Sequence, residues 1–223
     1  MTLTRIVSRL PRFSIKTGFL AALIFCLLNP APLIGDSVQA QGREDYELAK
    51  IRAALDLQEL RMSQANLARL SRSIAEESKK NSLDPLLVMA IIEVESRFDH
   101  KAVSPQGALG LMQVQPAAVT ALAEEGKISP AEKQRKVNLK DPAVNVKIGA
   151  SYLAHLKDIF GDLKTALTAY NSGPTWVSKM LAAKRALPLQ YATKVLSARR
   201  SLETRLARLE IAPGAETNNG VSG

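Results

Sequence analysis

Glu95 stands at the end of an apolar run, Leu86-Leu87-Val88-Met89-Ala90-Ile91-Ile92, just ahead of a bend rich in small and polar residues. A carboxyl group in apolar surroundings keeps its proton toward neutral pH, because burial disfavours the charged form. Such a group can give that proton to a leaving oxygen. Glu93 is close in sequence, but two helical steps set it roughly 200° away at about 3.6 residues per turn. The two carboxylates cannot share a cleft. Glu95 shares a face with Ile91, Ile92 and Phe98, the buried side, while Glu93 falls on the outer, solvated side. On helix pattern alone, a salt-bridged structural glutamate fits position 95 as well as a proton donor does.

The bend that follows changes the balance. Ser104-Pro105 opens it, and Gly107 and Gly110 allow backbone to approach a ligand closely. Gln113 and Gln115 add amide donors and acceptors. Small residues, amides and hydroxyls in a shallow bend suit a sugar-binding groove, although a plain helix-to-helix turn could look the same. No Gly-Lys-Ser/Thr follows, which excludes a phosphate loop. Ser104 lacks the Gly-x-Ser-x-Gly frame of a nucleophile elbow. His100 and His155 are the only histidines, far apart and without ligand spacing, so both are expected at the surface or its boundary. No metal and no cofactor is expected.

Helices must position these groups. Asp84-Pro85 reads as N-cap and first helical residue and predicts a helix to about Arg97. Asp141-Pro142 repeats the device and opens a helix toward Phe160, with Gly161 as its stop and Ile148, Tyr152, Leu156 and Ile159 as its buried stripe. Further helices are predicted over Leu163 to Asn171, Thr175 to Ala183 and Leu189 to about Leu209. Upstream, Leu48, Ile51, Leu55, Leu60, Leu67, Leu70 and Ile74 recur at helical spacings, predicting one or two amphipathic helices that lead into the domain. Gly126 to Lys140 reads as a charged surface connection, and residues 210–223 as a disordered tail. Aromatic residues make up only 4%, and Ala, Leu, Lys, Arg and Glu dominate, so the fold class is all-α.

The N-terminus has the layout of a cleaved secretory signal over residues 1–40. A basic segment precedes Phe19 to Leu28, then Pro30 and Pro32, and Val38-Gln39-Ala40 offers the cleavage site. The apolar run is about half the roughly 20 residues a membrane span needs, so no stable span is expected after removal. Phe25 is bulky where a lipid-modified Cys26 would want a small neighbour. Without the signal the chain has no cysteine, hence no disulfide, thiol nucleophile or thiolate metal site. The formal charge is +9; the first forty residues hold four basic and one acidic side chain, so removing them leaves +6. A basic surface suits an anionic partner, and export to the periplasm makes intracellular nucleic acid an unsuitable one.

Taken together, these residues resemble a known family. Glu95-Ser96-x-Phe98, Ala102-x-Ser104-Pro105-x-Gly107-Ala108-x-Gly110-Leu111-Met112-Gln113 and Pro116 are similar to the signature of the soluble lytic transglycosylase domain, glycoside hydrolase family 23. Asp141-Pro142, Asn145-Val146, Gly149, Tyr152-Leu153, Ala169-Tyr170-Asn171-Ser172-Gly173-Pro174 and Tyr191 with Lys194-Val195-Leu196 continue the likeness in order, from about Ile74 to Leu209. The resemblance implies a lysozyme-like helical domain over residues 74–209 with an N-terminal helical extension over 41–73. It implies cleavage of the β-1,4 bond between N-acetylmuramic acid and N-acetylglucosamine in peptidoglycan glycan strands.

Carried over by position, Glu95 would be the sole catalytic acid and base. It would protonate the glycosidic oxygen, then take the proton of the muramyl C6 hydroxyl as that group closes a 1,6-anhydro ring. Ser104 and Gln113 would contact the sugar, and Met112 would form part of the groove floor. Tyr170 and Asn171 would line the site opposite the acid, the tyrosine bonding Glu95 or the N-acetyl group, and Tyr191 would close the groove. A core tyrosine remains the alternative at 170 and at 191. The usual second carboxylate of glycosidases has no good candidate in Asp99, Asp141, Asp158 or Asp162. His100, Ser172 and the shortened Leu189-Gln190 stretch depart from the family pattern, the last at the far end of the groove. A muramidase of the same fold using water, and a non-catalytic wall-binding protein of a secretion machine, are the alternative readings; the sequence is silent on protein partners. Because residues 41 to 70 precede the motifs, their removal is expected to leave some activity.

Overall fold

The computed structural model describes residues 34–58, 60, 62–128 and 137–211. Most of the expected signal sequence and the tail from 212 lie outside the described residues, as does the middle of the charged connection, 129–136. Eight helices and no strand occur among the described residues: α1 (Ile34–Asp56), α2 (Gln64–Lys80), α3 (Pro85–Ser96), α4 (Pro116–Glu124), α5 (Pro142–Phe160), α6 (Leu163–Ser172), α7 (Pro174–Ala182) and α8 (Gln190–Ile211). The all-helical class read from composition is the observed one. The chain divides into two compact units, one ending at Asp45 and the other beginning at Tyr46. The described part of the first is the opening of α1, where the Gln41 amide donates to Asp45 at 3.1 Å. The position expected for signal cleavage, after Ala40, falls within that helix.

In the second unit the helix starts follow their caps. Asp84 accepts from the Leu86 amide at 3.0 Å, Asp141 from Ala143 at 2.9 Å and Val144 at 3.2 Å, and Asp162 from Thr165 at 2.9 Å. Each carboxylate satisfies amides that have no partner inside the helix. Gly173, at φ +85°, ends α6 and starts α7 in one residue. The sequence reading missed α4. It is short, has no side-chain cap, and announces itself only through Pro116 at its start and the buried trio Ala118, Val119 and Leu122.

α3 is the central rod. Every residue from Leu86 to Ile92 is buried, whichever way it points. α2 and α8 pack on it, α5 packs on α2, α4 and α6, and α6 also meets α8. Arg199 of α8 pairs with Asp84, the cap of α3, and Arg205 donates to the carbonyl of Leu57.

Three expectations are corrected. Of the stripe expected on α5, Ile159 is 51% exposed, while Val146, Ile148, Gly149, Ala150, Leu153 and Leu156 are buried. Ile159 keeps roughly the face of Ile148, three turns on, but it stands in the last turn of α5, past the buried stretch that ends at Leu156. His155 is buried rather than superficial, beside the ring of Tyr152. The segment before the motifs is not an appendage. Ile51, Ala54, Leu55, Leu67 and Leu70 belong to the same core as α3, so removing them is expected to open the bundle.

Leu55→Ala is therefore expected to cost about 2–5 kcal/mol, as large-to-small changes in closed cores do, seen as a lower urea midpoint. Deleting residues 46–70 should leave no cooperative unfolding transition; a sharp native-like melt of the truncated chain would contradict this packing.

Candidate active site

The bend after α3 is held by side chains that make no obvious claim to function. α3 ends at Ser96, and Arg97 and Phe98 turn the chain through left-handed conformations, φ +51° and +64°. The Ser96 hydroxyl lies 2.8 Å from the Leu111 carbonyl and 3.1 Å from that of Ile92, so one proton ties the bend to the helix. Leu109 and Val114 exchange backbone hydrogen bonds at 3.0 Å, and the Gly110 amide donates to Ala102 at 2.9 Å. From α5, the fully buried Asn145 reaches in with its whole amide. Its oxygen accepts from the Met112 amide at 2.7 Å, and its nitrogen donates to the carbonyls of Leu109 and Leu139, both at 2.7 Å. Two glycines make the approach possible. A Cβ on Gly110 would lie 2.5 Å from Asn145 and from the Leu139 carbonyl, at φ +72°, and one on Gly149 would lie 2.5 Å from the Met112 sulfur.

Around this bend lies a cleft of about 450 Å³. Glu95, Ser104, Gln113, Tyr152, Tyr170 and Asn171 line it, with Gln106, Gln115, Ser172 and Gly173 at its margins. A larger, shallower hollow of about 740 Å³ runs along α8 between Leu189 and Ser201. It holds no acid, so the chemistry belongs to the smaller cleft.

Glu95 is half-buried, and burial pushes its carboxyl above the usual carboxylate range. Two smaller effects oppose this: the hydroxyl of Tyr191 donates to Glu95 Oε1 at 2.5 Å, and the positive charge of Lys194 favours the anion. Desolvation is the largest of the three, so the protonated form is favoured relative to a free carboxyl. Tyr191 occupies Oε1, which leaves Oε2, without a partner among the described residues, to carry the acid proton. Burial and the facing Glu95 drive the phenols of Tyr170 and Tyr191 well above their ordinary range, so both stay neutral donors.

The structure brings Glu95, Ser104, Gln113, Tyr170 and Asn171 to one cleft. Ser104 accepts the Ala108 amide at 3.0 Å through its oxygen, leaving its proton to donate. The Gln113 amide nitrogen is held by the carbonyls of Gly110 (3.0 Å) and Ala102 (3.3 Å), leaving its oxygen as an acceptor. Met112 is wholly buried, its thioether against Gly149, so its side chain lies beneath the cleft wall and not in it. The Tyr170 hydroxyl donates to the Met112 carbonyl at 2.9 Å and not to Glu95. Tyr191 is not part of the cleft wall; it meets Glu95 itself. Sequence reasoning assigned no role to Tyr152, because its place in the α5 stripe looked like core. Gln106 carried no signal beyond its type.

The other carboxylates are accounted for elsewhere. Asp99 accepts the Lys101 amide at 2.8 Å, Asp141 and Asp162 cap helices, and Asp158 pairs with Lys127 at 2.6 Å. Among the described residues no group of three or more His, Cys, Asp or Glu could hold a metal ion.

Two outcomes follow from this geometry. Asn145→Ala strands one buried amide and two buried carbonyls, each costing about 1–3 kcal/mol. A loss of at least about 3 kcal/mol is expected in urea unfolding, and Asn145→Asp, which loses both donors, should not restore it. Glu95→Gln keeps the acceptor for Tyr191 while removing the buried charge. A carboxyl whose folded pKa is raised contributes its stability fully at pH below its ordinary value of 4.5 and loses it as pH rises through the folded value. The variant should therefore melt higher than the parent at neutral pH, the gap closing toward pH 4; an equal gap at both pH values would contradict a buried, proton-holding Glu95.

The family model for the transglycosylase SLT domain matches residues 72–191. The chain is similar to a transglycosylase of Enterobacteria phage PRD1, 35% identical over 101 residues covering 45% of this chain and 34% of that protein. It is also similar to the soluble lytic murein transglycosylase of Escherichia coli strain K12, 38% identical over 98 residues, 40% of this chain and 14% of the other. The matched stretches thus span about a third of the first relative's length and about a seventh of the second's. Among solved structures, an inactive mutant of the lytic transglycosylase Slt from Pseudomonas aeruginosa superposes at TM-score 0.50 with 29% identity, over 61% of this chain and 24% of that one. The 70 kDa soluble lytic transglycosylase of Escherichia coli superposes at 0.51 with 24% identity, over 70% and 30%, a likeness of fold.

Proposed function

This chain belongs to the family of the transglycosylase SLT domain, and from that membership and the cleft we propose that it is a peptidoglycan lytic transglycosylase. It cleaves the β-1,4 bond between N-acetylmuramic acid and N-acetylglucosamine and leaves 1,6-anhydromuramyl ends. The observation that carries the reading is a single one. Glu95 is the one carboxylate lining the cleft among the described residues, and its surroundings favour the protonated form.

The steps follow from that carboxyl. Glu95 Oε2 gives its proton to the glycosidic oxygen as the C1–O bond breaks. The carboxylate so formed is stabilised by the Tyr191 hydroxyl at Oε1 and by the charge of Lys194. It then takes the proton of the muramyl C6 hydroxyl, whose oxygen bonds to C1 and closes the anhydro ring, so no water is consumed. With no second carboxylate in the wall, the substrate's own N-acetyl group steadies the positive charge at C1. Ser104, Gln113, Tyr170 and Asn171 hold the glycan, and Met112 supports them from beneath.

The same reading places the enzyme in the periplasm, exported by the signal pattern in residues 1–40, with glycan strands as its partner and nucleic acid as none. Among the described residues no helix is long and apolar enough to cross a membrane. We place the start of the catalytic unit at Tyr46 rather than at residue 74, on the strength of the core contributed by α1 and α2.

Mass spectrometry of digested sacculi tests the proposal. Anhydro ends, lighter by one water than reducing ends, are expected from the parent, and Glu95→Gln should lose at least the roughly 10²-fold that a positioned acid-base group supplies. Reducing ends alone would make the protein a muramidase; unchanged clearing by the variant would remove Glu95 from its role.

A further inference from the structure

Two tyrosine rings line the cleft and a third, Tyr191, meets its acid; two of the three have committed their hydroxyls. Tyr170 donates to the Met112 carbonyl at 2.9 Å and Tyr191 to Glu95 at 2.5 Å. Tyr152 lines the cleft beside Tyr170, and its hydroxyl has no hydrogen-bond partner among the described residues. Nor is that oxygen among the buried polar atoms left without a partner, so it reaches solvent. A half-buried phenol that donates to nothing in the protein is a donor held ready for something that enters.

The ring is also held in place. It sits 5.7 Å from the Tyr170 ring, tilted by 52°, and 6.4 Å from the His155 ring, tilted by 33°. It rises from the middle of α5, the helix whose Asn145 fixes the bend. Burial raises the Tyr152 phenol above its ordinary range, so it remains a neutral donor wherever the enzyme works. A donor fixed on a rigid element loses little freedom when a ligand takes its proton in a hydrogen bond.

We propose that Tyr152 is a substrate-binding residue, whose hydroxyl donates a hydrogen bond to an acetamido or hydroxyl oxygen of the sugar that lies against Tyr170 and Asn171. The inference rests on the reading of this cleft as a glycan site. It gives the Tyr152 hydroxyl a task distinct from those of its neighbours: the Tyr170 hydroxyl braces the bend while its ring lies against the sugar, the Tyr191 hydroxyl attends Glu95, and the Tyr152 hydroxyl meets the substrate.

Tyr152→Phe keeps the ring and its packing while deleting only the donor. Binding of tri-N-acetylglucosamine is titrated into the Glu95→Gln protein with and without Tyr152→Phe, and KM and kcat on purified peptidoglycan are measured in the active background. One lost net hydrogen bond of about 1 kcal/mol corresponds to a roughly 5-fold weaker Kd. A similar rise in KM is expected, with kcat changed by less than about twofold and Tm unmoved; Tyr152→Ala should weaken binding further. Unchanged Kd and KM in Tyr152→Phe would overturn the assignment while leaving the transglycosylase reading in place. Weaker binding accompanied by a fall in Tm would also overturn it, by making Tyr152 structural. Sacculi left whole by the parent protein, with no binding of the trisaccharide in any background, would instead remove the glycan reading on which the assignment rests.

Discussion

One buried amide governs the geometry of the site. Asn145 spends its oxygen on the Met112 amide and both its protons on the carbonyls of Leu109 and Leu139. Those partners lie 33, 36 and 6 residues away along the chain. They are backbone groups of an irregular segment that no helix or sheet satisfies, and Asn145 itself is fully buried. A buried peptide group left unpaired is costly, so the segment can settle only where that amide meets it. Gly110 and Gly149 are the space this arrangement requires, and Ser96 fastens the same segment to α3 from the other side. The residues 102–114 therefore behave as a rigid extension of α3 and α5, although they contain no regular structure.

That rigidity decides where the acid stands and what it meets. The Met112 carbonyl, fixed by its neighbouring amide bond to Asn145, receives the Tyr170 hydroxyl. Tyr170 in turn packs on Tyr152, and this aromatic wall bounds the cleft opposite the bend. Glu95 sits on the last turn of the most buried helix in the molecule, where the apolar run that makes α3 a core rod also withholds water from the carboxyl. The burial of the rod and the raised pKa of Glu95 thus have one origin. The Tyr191 hydroxyl moderates the effect without reversing it: its hydrogen bond favours the anion, while the larger effect of burial raises the carboxyl above its ordinary range. Because Tyr191 comes from α8, whose Arg199 clamps Asp84 at the opposite end of α3, one helix braces the rod at its cap and attends its acid at its other end.

Much of this was legible in the chain. The helix starts at Asp84-Pro85 and Asp141-Pro142 and the stop at Gly161 are local chemistry, decided by a side-chain oxygen, a ring that fixes φ and a residue without a Cβ. Glu95 stood out for the same kind of reason, as an acid at the end of an unbroken apolar run. α4 escaped because nothing local announces it; its residues are helical on account of what they pack against. Ile159 was misplaced because the buried stretch of α5 ends at Leu156, before the helix itself does.

The sequence by itself determined the all-helical class, the ends of the main helices and the placing of a lone carboxyl, Glu95, at the end of an apolar run, since each depends on neighbours within a turn or two. Only the tertiary structure decided which tyrosine does what. It sent the hydroxyl of Tyr170 to Met112 rather than to Glu95, brought Tyr191 across 96 residues to the acid, and left Tyr152 in the cleft wall with its proton unspent. It likewise drew α1 and α2 into the core. Partners so far apart along the chain are chosen by the packing of whole helices, and no local pattern of residue types encodes that choice.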